Sequence, residues 1–330
     1  MRKSISLIII VLLLATLCVF SISCDKEEVE VTEISIVAPD GAPALAISSL
    51  IKDKEIDGIK VNANVVSAST IGQEAIKSDF AIMPVNAAAK LYNKGSQIKV
   101  VSTVTNGNLF ILSSINNPDF SLQSLKGKMF YSIGQAAVPA AILISLLQNA
   151  NIEYEEGEKA IENKVCIKYV ADGAALLPFL MQAKQKGEEV YGLLAEPAVS
   201  KAVTKGLYNV ADVQDLYKTM QGATTKGFAQ AVLVCKSTTS EAVVKKVIKA
   251  LQDNVAYVES NPQEAVRNIS GIFATTLNED ISVDAIKGCN IRVDGFREDY
   301  SYIDLSLKAM NQADSSLVGE VPALDSGFYY

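Results

Sequence analysis

Apolar residues along the chain fall into short runs of two alternating kinds. Runs rich in Ile, Val and Phe stand at 34–38, 60–66, 80–84 and 99–104, and these predict strands. Between them, stretches with apolar residues three and four apart predict helices near 42–52, 71–78 and 87–94. A second series repeats the alternation, with strands at 129–133, 165–170 and 190–194 and helices at 138–149, 174–185 and 198–204. Such a pattern predicts an α/β architecture, sheets covered by helices. The last third predicts a long helix at 240–260, stopped by Asn261-Pro262, then helices at 263–269, 283–287 and 299–313.

The two series can be laid over each other. Pro43-Ala44 with Ser49-Leu50 matches Pro139-Ala140 with Ser145-Leu146 at the same internal spacing. Ala87, Lys90 and Lys94-Gly95 match Ala198, Lys201 and Lys205-Gly206 in kind and order. After each series a Gly-containing turn leads into another strand: 105–108 into 109–113, and 225–228 into 229–235. These read as the two places where the chain crosses between lobes. The expected organisation is lobe one at 32–108 plus 232–330 and lobe two at 109–231.

Residues 1–24 stand apart from this pattern. Arg2 and Lys3 precede an almost wholly apolar stretch, 6–20, too short to span a membrane comfortably. Ser21-Ile22-Ser23-Cys24 follows and resembles the lipobox of bacterial lipoproteins, with Ser21 in place of the usual Leu. The reading is a lipoprotein signal peptide at 1–24 with lipid on Cys24, then a polar tether at 25–31. An ordinary cleaved leader with an incidental Cys is the alternative. The polar run Asp25-Lys26-Glu27-Glu28 opposes a retained anchor.

Composition narrows the chemistry. With Arg2 and Lys3 set aside, two of the 30 basic residues go and all 37 acidic ones stay, so the net charge moves from −7 to about −9. No basic patch offers itself to nucleic acid. Beyond the leader, Cys166, Cys235 and Cys289 are far apart and odd in number, which favours buried thiols over a disulfide framework. The chain has no His. That removes the commonest general base and metal ligand, and with them the Ser-His and Cys-His nucleophile pairs. Phosphate-loop, HExxH and CxxC motifs are missing too. The balance moves from catalysis toward binding, with no metal or cofactor implied.

A more specific likeness comes from the runs IVAPDGAPALA, FAIMPVNAAAKLYN, GNLFILSS, LKGKMFYSIGQAAVP, LLAEPAVS and QAVLVC, in this order. Over nearly the whole mature chain they resemble the substrate-binding lipoproteins of ABC importers in the sulfonate-taurine-nitrate and thiamine-precursor superfamily. The resemblance implies an α/β, two-lobed type II periplasmic-binding-protein fold, each lobe a mixed sheet flanked by helices. It implies a monomer, not an enzyme, anchored outside the cytoplasm on the bacterial cell membrane. Its partners would be a small-molecule solute and the permease and ATPase subunits. A lipid-anchored sensor for a membrane partner would carry the same sequence, and an enzyme on this fold is the third class. The superfamily's pyrimidine synthases use a His and a Cys-rich motif that this chain lacks.

Candidate ligand contacts follow from the strand ends, which face the crevice in open α/β sheets. The corner Asp40-Gly41-Ala42 ahead of Pro43 presents helix N–H groups to a polar or anionic ligand, with simple capping by Asp40 as the alternative. Gln135, Ala136 and Ala137 form the matching corner of lobe two. Ser67, Ser69, Thr70, Asn86, Asn108 and Gln230 follow other strands or stand at the crossovers. Glu196, between an apolar strand and Pro197, either accepts from a ligand amine or sits solvated at a helix start. Arg267, Arg292 and Arg297 lie outside these loops and there is no Trp, so neither an Arg grip on an amino-acid carboxylate nor a sugar platform is expected. If Glu196 faces the cleft, the ligand has a donor or cationic end opposite a polar or anionic one. A small anion or a compact heteroaromatic remains in view.

Overall fold

The computed structural model describes residues 31–222, 226–270, 277, 281–298, 300–321 and 326–330. Cys24, the leader and Thr225 lie outside the described residues. The strands are β1 (Glu33–Pro39), β2 (Glu55–Ile56), β3 (Ile59–Val66), β4 (Phe80–Pro84), β5 (Ile98–Asn106) and β6 (Leu109–Ser113). They continue as β7 (Met129–Ser132), β8 (Tyr154–Glu156), β9 (Val165–Tyr169), β10 (Tyr191–Ala195), β11 (Tyr208–Asp212) and β12 (Ala229–Lys236). Among the described residues these make two six-stranded sheets, ordered β2-β3-β1-β4-β12-β5 and β11-β6-β10-β7-β9-β8.

The sheets are built alike. Each has a parallel trio, β3-β1-β4 or β9-β7-β10. Each trio is flanked by an antiparallel strand that the chain delivers on crossing over, β12 or β6. A further antiparallel strand, β5 or β11, lies beyond it. The sequence parallel between the two series is therefore a parallel of topology.

Helices cover both sheets. They run α1 (Ala42–Leu45), α2 (Ser48–Asp53), α3 (Ile71–Lys77), α4 (Val85–Asn93), α5 (Val138–Asn149) and α6 (Gly173–Lys186). The rest are α7 (Ala198–Thr204), α8 (Val213–Gln221), α9 (Glu241–Ser260), α10 (Pro262–Ser270), α11 (Val283–Gly288) and α12 (Tyr300–Ala313). None of the described helices is long and apolar enough to cross a membrane. The helix expected over 42–52 is in two pieces, α1 and α2. The buried Asn254 of α9 accounts for the break. Its Oδ1 accepts from Ser48 Oγ (3.0 Å) and Ser49 N (2.8 Å), while its Nδ2 donates to Leu45 O (2.9 Å). One side chain thus satisfies groups on both sides of the break.

The two sheets belong to one compact unit, Glu33–Tyr330. α12 packs on α5 of the second sheet's layer and also touches α4 and β12 of the first. Ile303, Leu307 and Met310 join Val37 and Met83 to Phe130 and Leu143 in one apolar core. Cys166, Cys235 and Cys289 are free and buried. Burial pushes the Cys235 thiol up to about 12.

Candidate functional site

The C-terminal ends of the parallel strands of both sheets open onto one cavity of about 510 Å³. Pro39, at the end of β1, and Pro84, at the end of β4, line it from the first sheet. Ile133 and Ala195, at the ends of β7 and β10, line it from the second. Most of the wall is apolar. The polar groups are Asp40, Thr105, Asn108, Asp172, Glu196, Lys201 and Gln230. Among the described residues, no group of three or more His, Cys, Asp or Glu could hold a metal ion.

The strand-to-helix corners ahead of α1, α5, α6 and α7 frame the cavity. At the first, Gly41 takes φ +100°, which its missing Cβ permits. Asp40 Oδ1 accepts from Gly41 N at 2.8 Å, so the carboxylate occupies one N–H of the corner. Pro43 then starts α1 in the first turn, where a missing N–H costs nothing. At the second corner Gly134 (φ +71°) and Ala136 (φ +59°) turn the chain, Ala137 N donates to Gly134 O (3.0 Å), and Pro139 sits in the first turn of α5. At the third, Asp172 caps α6 by accepting from Ala175 N at 2.9 Å.

Glu196 and the crossovers complete the site. Glu196 is only 8% exposed. Its Oε2 accepts from Ser200 N (3.0 Å) and its Oε1 from Ser200 Oγ (2.8 Å). Burial raises its carboxyl above the usual carboxylate value, and the two Ser200 bonds act the other way. Gly288, at the end of α11, lies against it, and a Cβ there would fall 2.8 Å from Glu196 Cγ. The next residues clasp the first crossover. Asn290 O accepts from Asn106 N (3.1 Å), and Asn290 Nδ2 donates to Gly107 O (3.0 Å). Asn108 N donates to Gln230 Oε1 (3.3 Å), tying the two crossovers together.

Solved structures of similar fold come from several bacteria. An ABC transporter of Parabacteroides distasonis is 23% identical with a TM-score of 0.71, over 91% of this chain and 99% of its own. The ligand-binding component of an ABC-type import system from Staphylococcus aureus, with zinc bound, is 14% identical with a TM-score of 0.61, over 91% and 96%. The periplasmic aliphatic sulphonate binding protein of Escherichia coli is 13% identical with a TM-score of 0.61, over 88% and 89%. The fold is that of the type II periplasmic binding proteins. No protein-family model matches the chain, and no curated protein matches it in sequence.

Within this periplasmic-binding-protein fold, the sequence-derived candidates divide. Asp40, Gly41, Ala42, Asn108, Ala137, Glu196 and Gln230 line the cavity. Ser67, Ser69 and Thr70 do not; they form an exposed turn before α3, with Ser67 Oγ 2.9 Å from Ser69 Oγ and Thr70 Oγ1 donating to Ser67 O (3.0 Å). Asn86 lies buried to one side, donating to Leu317 O at 3.1 Å. Ala136 shapes its corner without lining the cavity, and Gln135 is exposed, with Nε2 3.5 Å from Glu156 Oε2. Thr105, Asp172, Leu177 and Lys201 line the cavity and were not among those candidates. Asp172-Gly173 ahead of an apolar helix is a readable capping signal. The sequence pattern puts Thr105 first in the turn 105–108, whereas β5 runs on through Asn106 and holds it inside a strand.

Proposed function

We propose that this chain is an extracytoplasmic solute-binding lipoprotein. It captures a small polar, anionic or heteroaromatic solute between two lobes, 32–108 plus 232–330 and 109–231, and hands it to the permease and ATPase of an ABC importer. The observation that carries this reading is the cavity of about 510 Å³, lined by strand ends of both sheets and by both crossovers. That is an ordinary size for a small-molecule site. A cleft joined through two crossovers is also the arrangement that hinge closure needs. The P. distasonis and S. aureus neighbours, an ABC transporter and an import component, support the same role. The chemistry of the wall supports binding over catalysis, since its titratable groups are three carboxylates and one Lys with no His.

The test is native mass spectrometry of the protein isolated from its own host. One small molecule per chain, displaced on unfolding, is expected; repeated isolation with nothing bound, together with no binding from host metabolite extract, overturns the reading. The proposed lipid on Cys24 is tested separately. Cys24→Ala should leave the protein unprocessed or release it from the membrane fraction, and normal cleavage with unchanged membrane attachment removes the anchor from the proposal.

A further inference from the structure

We infer that the cleft takes a compact solute with an N–H donor head and an apolar body, an amine, amidine or amino-substituted heterocycle, whose head sits on Thr105, Asn108 and Glu196. This rests on the solute-binding reading above. Thr105 Oγ1 and Asn108 Oδ1 are buried side-chain atoms without a hydrogen-bond partner, on residues 1% and 2% exposed that both line the cavity. Buried polar atoms are nearly always paired, so two orphans in one cavity wall mark the place of a ligand's polar group. The sense of the pairing is fixed at Asn108. Its Nδ2 donates to Glu196 O at 3.4 Å, so the unpartnered atom is the carbonyl oxygen, which only accepts. Thr105 Oγ1 can accept as well. Glu196 adds a carboxylate whose oxygens each hold one bond from Ser200 and keep a lone pair for another donor.

The rest of the wall opposes a simple anion. One N–H at each of the corners ahead of α1, α5 and α6 is already taken: Gly41 N by Asp40, Ala137 N by Gly134 O and Ala175 N by Asp172. Asp40, Asp172 and Glu196 outnumber Lys201 around the cavity, so an anion meets net negative charge. Ile133, Val138, Leu177 and Leu194 supply apolar wall for a ring or chain. These side chains offer hydrocarbon to the body of the solute.

The test offers the purified full chain ring-matched probes: benzamidine against benzenesulfonate, cyclohexylamine against cyclohexanecarboxylate, and 2-aminopyridine against pyridine-2-carboxylate. Calorimetry should give the N–H-bearing member of each set at least a tenfold lower Kd. Thr105→Val, which keeps the shape and removes the hydroxyl, and Asn108→Leu should each weaken the best probe about tenfold. Preference for the sulfonate or carboxylate overturns the inference and leaves the solute-binding reading standing. An unchanged Kd in Thr105→Val overturns the placement of the head. If every probe is silent, the solute released from host-derived protein decides: one without an N–H donor overturns the inference, and one with it, weakened by Thr105→Val, upholds it. No bound solute from any source overturns the solute-binding reading instead.

Discussion

Glu196 is held twice by a single neighbour, Ser200, and this shapes what its replacement should do. The carboxylate caps the start of its own helix and lines the cavity, and it is buried there rather than solvated. Gln can keep both Ser200 bonds, because the hydroxyl reverses its role. A carboxyl raised by burial contributes fully to stability at low pH, and that contribution declines as pH rises through the folded-state value, from the ordinary 4.5 upward. Glu196→Gln should therefore gain stability relative to the parent as pH rises above 4.5, and melt no lower than the parent at neutral pH without solute. For a cationic solute it should lose about 1.5–3 kcal/mol, roughly tenfold to hundredfold in Kd. Melting curves at several pH values and calorimetry read the two effects; a variant that loses stability relative to the parent as pH rises would contradict the first. The sequence made Glu196 visible because a carboxylate between a strand and a Pro is unusual in so apolar a setting. Thr105 was invisible for the opposite reason. Nearly every residue of β5 is buried on both faces, so no alternation shows which side chains meet the cavity.

At the scale of elements, the corners show what local patterning can and cannot reveal. Gly, Pro and the apolar runs placed these turns at strand-to-helix junctions, and the long helix α9 ends at the Asn261-Pro262 break. The split of α1 from α2 was not legible, because Asn254, about two hundred residues away, supplies the bonds that stabilise it. The short strands β2 and β8 have too few residues to show a period. Helix α8 was readable in principle, since Asp212 caps it by accepting from Gln214 N. The second corner offers a stability test. At Gly134 a Cβ would lie 2.7 Å from Pro139 Cγ and the backbone is left-handed, whereas Gly127, at φ +76°, has nothing within 4 Å. The left-handed strain alone costs about 1–2 kcal/mol. Gly134→Ala should lose more than Gly127→Ala, about 2 kcal/mol or above, as a fall of several degrees in Tm. Equal losses would show that Pro139 yields to the methyl group.

For the molecule as a whole, the similar build of the two series was legible from the repeated Pro-Ala and Ser-Leu spacings, because equivalent corners demand similar residues. The bridging of the two layers by α12 was not, since an apolar helix face does not name its partner. The proposed closure of the lobes would have to leave this shared core intact. The best-binding probe at saturation should shrink the radius of gyration in scattering, and identical profiles would mark a rigid module. At a hundred times its Kd, the same probe should stabilise the protein by about 2.7 kcal/mol. The placement of β12 has a consequence for how the molecule is made. β12 lies between β4 and β5, yet it follows β5 by more than a hundred residues. During synthesis, the first-made sheet lacks its inner strand until the whole second sheet has emerged. Assembly of the nascent chain is therefore late and depends on a distant closure, the kind of ordering that makes folding slow. A chain synthesised only as far as β11 keeps β4 and β5 apart, with the unpaired edge of each still open.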